Sequence, residues 1–268
     1  MKSCAFIFLL ATMIWAASAL GADDGGVRSV FARGAGERAI GLGGAYGAVS
    51  GDPSALIWNP AGLGRVQRLG FYASHTDLIG LGFSEQFAVV ALPSWRLGTF
   101  GLGLRRFGVD GIEARDERGV ILGENIEDSE TEIVLGYGKL LGSAWAIGGA
   151  VKLKKQDLAG YSAMAGGLDL GMQVNPLVAA GSLSPLAQEI RLGLAFRNII
   201  EPSLRLDQES VPDPTGVRLG LAWDHSLGQA TRFLLTADLE KTKEIGADFH
   251  GGFELQLMDL LALRAGTN

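Results

Sequence analysis

Eleven stretches of the chain alternate between large apolar side chains and small or polar ones, and a period of two belongs to extended strands rather than helices. They run over 71–76, 84–92, 97–107, 130–140, 144–154, 165–174, 189–198, 215–224, 232–240, 248–257 and 261–266, with turn residues between them. Ile190, Leu192, Leu194 and Phe196 alternate with Arg191, Gly193, Ala195 and Arg197; Val217, Leu219, Leu221 and Trp223 alternate with Arg218, Gly220, Ala222 and Asp224. Leu168, Leu170, Met172 and Val174 alternate in the same way with Gly167, Asp169, Gly171 and Gln173. A soluble sandwich also alternates, but it keeps glycine scarce on its solvated face because glycine weakens strands. Glycine repeated on the polar face suits an inward face that curves tightly or leaves room for another segment. The pattern therefore predicts an all-β, antiparallel transmembrane barrel with lipid on the bulky face and a filled interior on the other. Glycine at 40 of 268 residues and a charged fraction of 19% fit this better than ordinary soluble usage, where about 7% and 25% are typical.

The two ends bound the compartment. Lys2, the apolar run through Ala17 and the small residues Ala17-Ser18-Ala19 read as a secretory signal peptide over 1–19, so the chain is expected to be exported. The single cysteine, Cys4, lies inside that run and leaves with it, so the mature chain has no disulfide framework and no thiolate chemistry. Beyond it no apolar run is long enough for a membrane-spanning helix. A formal charge of −6 argues against a nucleic-acid partner. Trp95, Trp145, Trp223, Tyr72 and Tyr161 fall near strand ends, which fits an interfacial aromatic girdle and also fits aromatics that staple hairpins in any β protein. The acidic segment 110–130 reads as a long solvent loop, and 175–188 and 201–216, each broken by prolines, as two further loops.

One stretch resembles none of the others: 36–64, GERAIGLGGAYGAVSGDPSALIWNPAGLG. Gly41, Gly43 and Gly44, with Ala39, Ala45, Ala48, Ala55 and Ala61, leave little side-chain bulk, so the segment can thread a confined space. Gly51-Asp52-Pro53 reads as a turn, Ser54 as the cap of one helical turn through Trp58, and Asn59-Pro60 as its end.

The pattern made by Gly36, Arg38, Ala39, Gly41, Gly43, Gly44 and Ala45, then Asp52, Ser54, Ala55, Trp58, Asn59, Pro60, Ala61, Gly62 and Leu63, resembles the amino-terminal signature of FadL-like outer-membrane barrels. Within that group it is most similar to the PorV/PorQ branch. The resemblance implies a 14-stranded barrel in the bacterial outer membrane, with an amino-terminal plug folded back into the lumen. The expected organisation is then a signal peptide over 1–19, a plug (hatch) segment over 20–66 and a barrel over 67–268. With about 11 strands present, and no aromatic residue at Asn268, the barrel is expected to be incomplete at its carboxyl end.

No catalytic constellation emerges. His75, His225 and His250 are far apart and match no metal pattern, and no G-x-S-x-G occurs. The run Gly41-Leu42-Gly43-Gly44-Ala45-Tyr46-Gly47 spaces its glycines wrongly for a dinucleotide loop and follows no strand. The expectation is a non-enzyme without cofactor or metal, in contact with outer-membrane lipid. Two readings stay open for the candidate residues Gly41, Gly43, Gly44, Asp52, Ser54, Trp58, Asn59, Pro60, Ala61 and Gly62: a static plug, or a gate hinged at Gly43, Gly44 and Gly62 that meets apolar solutes through Leu56, Ile57, Trp58 and Leu63. At the level of function these become a binding or scaffold component of protein export, which the PorV/PorQ resemblance implies, with secretion-system proteins or cargo as partners. The alternative is a passive channel for hydrophobic small molecules.

Overall fold

The computed structural model describes residues 29–78, 82–115, 118–205, 210–228, 230–243, 245–258 and 260–268. The signal-peptide expectation over 1–19 and the start of the plug expectation, 20–28, lie outside these residues. All eleven alternating stretches form strands: β1 Gly70–Leu78, β2 Phe83–Ser94, β3 Gly98–Arg115, β4 Ile121–Leu141, β5 Trp145–Leu158, β6 Tyr161–Val174, β7 Ile190–Ile200, β10 Gly216–Leu227, β11 Thr231–Thr242, β12 Ala247–Leu257 and β13 Leu261–Thr267. They pair in chain order as one antiparallel sheet, and a two-residue ribbon, β8 Ser203–Leu204 with β9 Val211–Pro212, stands apart. Among the described residues β1 and β13 pair with one neighbour each, so the sheet has two free edges. No described helix is long and apolar enough to cross a membrane, which leaves open a crossing by strands.

The two faces sort as the alternation predicts. Small and polar residues such as Ala150, Asp169, Gln173, Ala195, Arg218 and Asp238 are buried, whereas Leu102, Leu135, Val151, Leu170, Leu192, Leu219 and Leu239 on the alternate positions are exposed. The sheet is thus apolar outside and polar inside. What buries the inner face is the segment from Ser29 to Val66, the head. Of the 18 buried hydrophobic residues in the central cluster, 11 belong to the head (Ala35, Ala39, Leu42, Tyr46, Ala48, Val49, Leu56, Ile57, Trp58, Leu63, Val66) and the rest to the strands around it.

The segment 110–130 is not a loop. β3 and β4 continue into it as a ribbon as far as Arg115 and from Ile121, with Val109↔Asp128 and Ile112↔Ile126 in register across two irregularities. Charge did not prevent strand formation because a ribbon satisfies its backbone by pairing. The 175–188 segment holds two short helices, Pro176–Ala179 and Pro185–Glu189, each with proline in its first turn, where the missing N–H costs nothing. Tyr72 also departs from the girdle expectation, because it faces inward, its ring 5.7 Å from that of Phe87 and its hydroxyl accepting the Glu37 N–H.

Candidate functional site

The contact between head and inner sheet face is where nearly all buried chemistry of the described residues concentrates. The head folds as a 3-10 turn (Val30–Arg33), a helix (Glu37–Gly41), a glycine-rich bend, a helical turn (Ala55–Trp58) and a second 3-10 turn (Pro60–Arg65). Its low bulk meets glycines on the strands. A methyl group placed on Gly266 would fall 2.1 Å from the Gly43 nitrogen, one on Gly193 2.2 Å from the Gly47 oxygen, one on Gly148 2.5 Å from the Ala61 nitrogen, and one on Gly136 2.1 Å from a Leu56 methyl. The inner-face glycines of these strands make the seat on which the head lies.

Asp52 is the head's internal hub. It accepts from Arg38 Nη1 at 2.9 Å and from the Ser54 N–H at 2.9 Å, and it takes the hydroxyls of Tyr46 and Ser54. Ser54 therefore turns its hydroxyl to Asp52 and makes no side-chain cap for the helical turn that follows, a departure from the capping expectation. Burial, together with the Asp52 charge, pushes the Tyr46 phenol far above its usual range, so it stays protonated and donates. Arg38 also reaches out to Glu254 on β12, at 2.9 Å through Nη2.

The remaining candidate residues are packed and bonded. Trp58 donates its indole N–H to the Ala35 oxygen at 2.9 Å and lies against Gly34, Tyr46 and the Arg218 guanidinium. Asn59 caps the second 3-10 turn by accepting from the Ala61 N–H at 3.1 Å, and its amide nitrogen donates to the Gly47 oxygen at 2.7 Å. Pro60 and Ala61 set their backbone on Gly148, and Gly62 comes so close to Ala55 that an added methyl would stand 2.8 Å from its Cβ. Gly41 lies against the Arg264 side chain. Gly43 and Gly44 have φ of +65° and +77°, left-handed values that suit glycine, and Gly43 abuts the Thr267 backbone. Leu56, Ile57, Trp58 and Leu63 are all buried in the core cluster.

The strands hold the head by its carbonyls. Arg105 donates to the Phe31 and Gly34 oxygens at 3.0 and 2.7 Å, Arg191 to Ala48 at 3.2 Å, Arg218 to Gly44, Thr236 to Ala45 at 2.9 Å, and Gln173 to Gly47 and Val49 at 3.2 and 3.1 Å. His250 Nδ1 lies 2.8 Å from the Gly43 oxygen; a carbonyl only accepts, so that nitrogen carries the proton. Asp238 works in the opposite sense, accepting the N–H groups of Tyr46 and Gly47 at 2.8 and 2.7 Å. The same charged groups pair with one another: Arg218 with Asp238 at 2.9 Å and with Glu240, Arg105 with Glu132 at 3.3 Å, Lys152 with Asp169 at 2.8 Å. Buried charges persist only when paired and hydrogen-bonded in this way.

Two hollows beside the head are small. The cavity beside Phe31, Arg105 and Lys154 holds about 10 Å³ and that beside Ala32 and Asn198 about 20 Å³, room for a single water each. A wider hollow of about 460 Å³, bordered by Leu183, Glu189, Arg191, Asp224 and Arg232, opens outward at the end of β7 and β10. No trio of His, Cys, Asp or Glu among the described residues could hold a metal ion. No protein-family model matches the chain, and no curated protein matches it.

Sequence reasoning reached the head as a unit through its low bulk and mixed motif, and placed Arg191, Arg197, Arg218 and Asp169 on the inner face. It missed that Arg105, Gln173, Thr236, Asp238 and His250 bind the head's backbone. The period-two pattern alone carries that signal, since each is a polar residue on the small-residue face of its strand.

Proposed function

We propose that the chain is an outer-membrane β-barrel protein of the FadL-like kind, in its PorV/PorQ branch, exported by a signal peptide and closed by its head as a plug. It acts as a binding or scaffold component of protein export, not as an enzyme. The observation that carries this reading is the inversion of the sheet: bulky apolar side chains face out on strand after strand, while paired charges face in and are filled by the head. An apolar exterior of this extent is costly in water and favourable in lipid. The dimensions agree. Along β5 the exposed Trp145, Ile147, Val151 and Leu153 precede Lys155. At roughly 3.3 Å per residue and a tilt near 40°, the eight steps from Trp145 to Leu153 cover about 20 Å of bilayer.

The filled interior favours a binder over a conduit, and the projecting β3–β4 ribbon supplies a surface for export partners or cargo. The test is to fold the full reading frame in detergent, compare the mobility of unheated and boiled samples, and then record planar-bilayer conductance and uptake of an apolar dye. A faster unheated band with silent bilayers and no uptake is expected. A protein that stays soluble without detergent, with mobility unchanged by boiling, overturns the membrane reading. Dye uptake into vesicles replaces the scaffold with a passive channel for hydrophobic molecules gated at the head.

A further inference from the structure

The charges at the two ends of the strands are sorted by sign. In strand order, the end that carries the turns 95–97 and 142–144 also carries the start of β1; the opposite end carries the β3–β4 ribbon. The parts of the chain that build the first end through β5 contain no acidic residue at all: 53–76, 86–109 and 133–156 hold neither Asp nor Glu. Four cations stand at this rim, Arg65, Arg68, Arg96 and Lys139. None of the four has a carboxylate within ion-pair distance among the described residues, although ion pairs are numerous elsewhere. The ribbon at the other end carries Asp110, Glu113, Asp116, Glu117, Glu124, Glu127, Asp128 and Glu130 in sequence against Arg115 and Arg118.

The basic rim coincides with apolar and amphipathic residues. Trp95 is 87% exposed with the Arg96 guanidinium 4.2 Å from its ring, and Leu69, Phe71, Leu97, Leu141 and Trp145 are exposed around it. Tyr137, against Phe100, ties the turn down by donating its hydroxyl to the Leu97 oxygen. Tryptophan beside unpaired cations, at the edge of an apolar band, matches the chemistry of a bilayer interface, where rings sit at headgroup depth and phosphates lie just beyond the hydrocarbon.

We infer that this rim, formed by Arg68, Trp95, Arg96 and Lys139 with Arg65 behind them, binds the phosphate groups of anionic lipids and so seats the β1–β5 end in one headgroup layer. The inference rests on the membrane reading above. Charge complementarity selects the occupant: the chain as a whole carries −6, so an anionic surface attracts it only through a local basic patch.

The experiment compares partition of the full chain, diluted from detergent, between vesicles of phosphatidylcholine and vesicles in which 30 mol% is replaced by phosphatidylglycerol. The wild type prefers the anionic vesicles, and 0.5 M salt removes the preference. Arg68→Gln/Arg96→Gln/Lys139→Gln loses it, by about fivefold per side chain and on the order of a hundredfold for all three. Lys155→Gln, at the opposite end and paired with Asp157, retains it. Unheated gel mobility reports that each variant folds. Equal entry of the wild type into both vesicle types, or an unchanged preference in the folded triple variant, overturns the lipid-binding rim and assigns those cations to an aqueous partner. Failure to enter either vesicle type sinks the membrane reading instead.

Discussion

Asp238 is the residue with the most to lose. It is 1% exposed, pairs with Arg218 and accepts two head N–H groups, so truncating it takes one of two carboxylates from a buried guanidinium and strands two buried donors. Asp238→Ala is expected to cost about 3–5 kcal/mol, read as a lowered urea midpoint in detergent. A double replacement of Arg218 and Asp238 by apolar residues recovers part of that loss, since it leaves no lone charge behind. The seat glycines make a second test. Gly266→Ala drives a methyl into the Gly43 backbone and costs about 1–3 kcal/mol, whereas Gly246→Ala, with open space around it, leaves the midpoint unchanged. Outside the strands, burial pushes the Asp213 carboxyl up, but Lys154 outweighs it and holds the group below the usual carboxylate range. A depressed folded value means its stabilisation is complete above the unfolded value of about 3.9 and disappears as pH falls through the lower folded value. Acid titration of Asp213→Asn should therefore lack that part of the stability loss below about pH 4 while lying lower than the wild type at neutral pH.

The β3–β4 ribbon outruns its neighbours. β2 pairs with β3 as far as Val109 and β5 with β4 as far as Asp128, so among the described residues the ribbon beyond them is paired with neither adjoining strand. Replacing 110–127 with a tight turn should leave unheated gel mobility and the urea midpoint unchanged; a lowered midpoint would show that the ribbon stabilises the sheet. This element was also the least legible in the sequence. All eleven principal strands could be read because Ile, Leu and Val on one register and Gly, Ala and Arg on the other leave a period that turn residues do not. In the ribbon, Glu113, Asp128 and Glu130 masked that period, since charge was read as a mark of loop. Pro176 and Pro185 interrupt the strand pattern without marking a helix, although proline opens a helix as readily as it ends one. The head's composition betrayed its confinement. Its partners did not announce themselves, because Arg105, Asp238 and Glu254 meet it from 71 to 216 residues away and leave no local trace.

At the scale of the molecule the head is the core, not a guest within one. Removing 29–66 takes away most of the buried apolar cluster and leaves Arg105, Arg191 and Arg218 without their carbonyl acceptors. The truncated chain should give no heat-modifiable band in detergent; a folded, conducting product would mean that the strands hold their curvature unaided. The long reach of the head's contacts also dictates an order of events. Tyr46 bonds to Asp238 and Arg38 to Glu254 only once β11 and β12 are in place, and contacts of such separation form late because loop closure must precede them. Docking of the head is thus a late step of folding, and until it happens a glycine-rich apolar segment and the arginines that receive it wait without their partners.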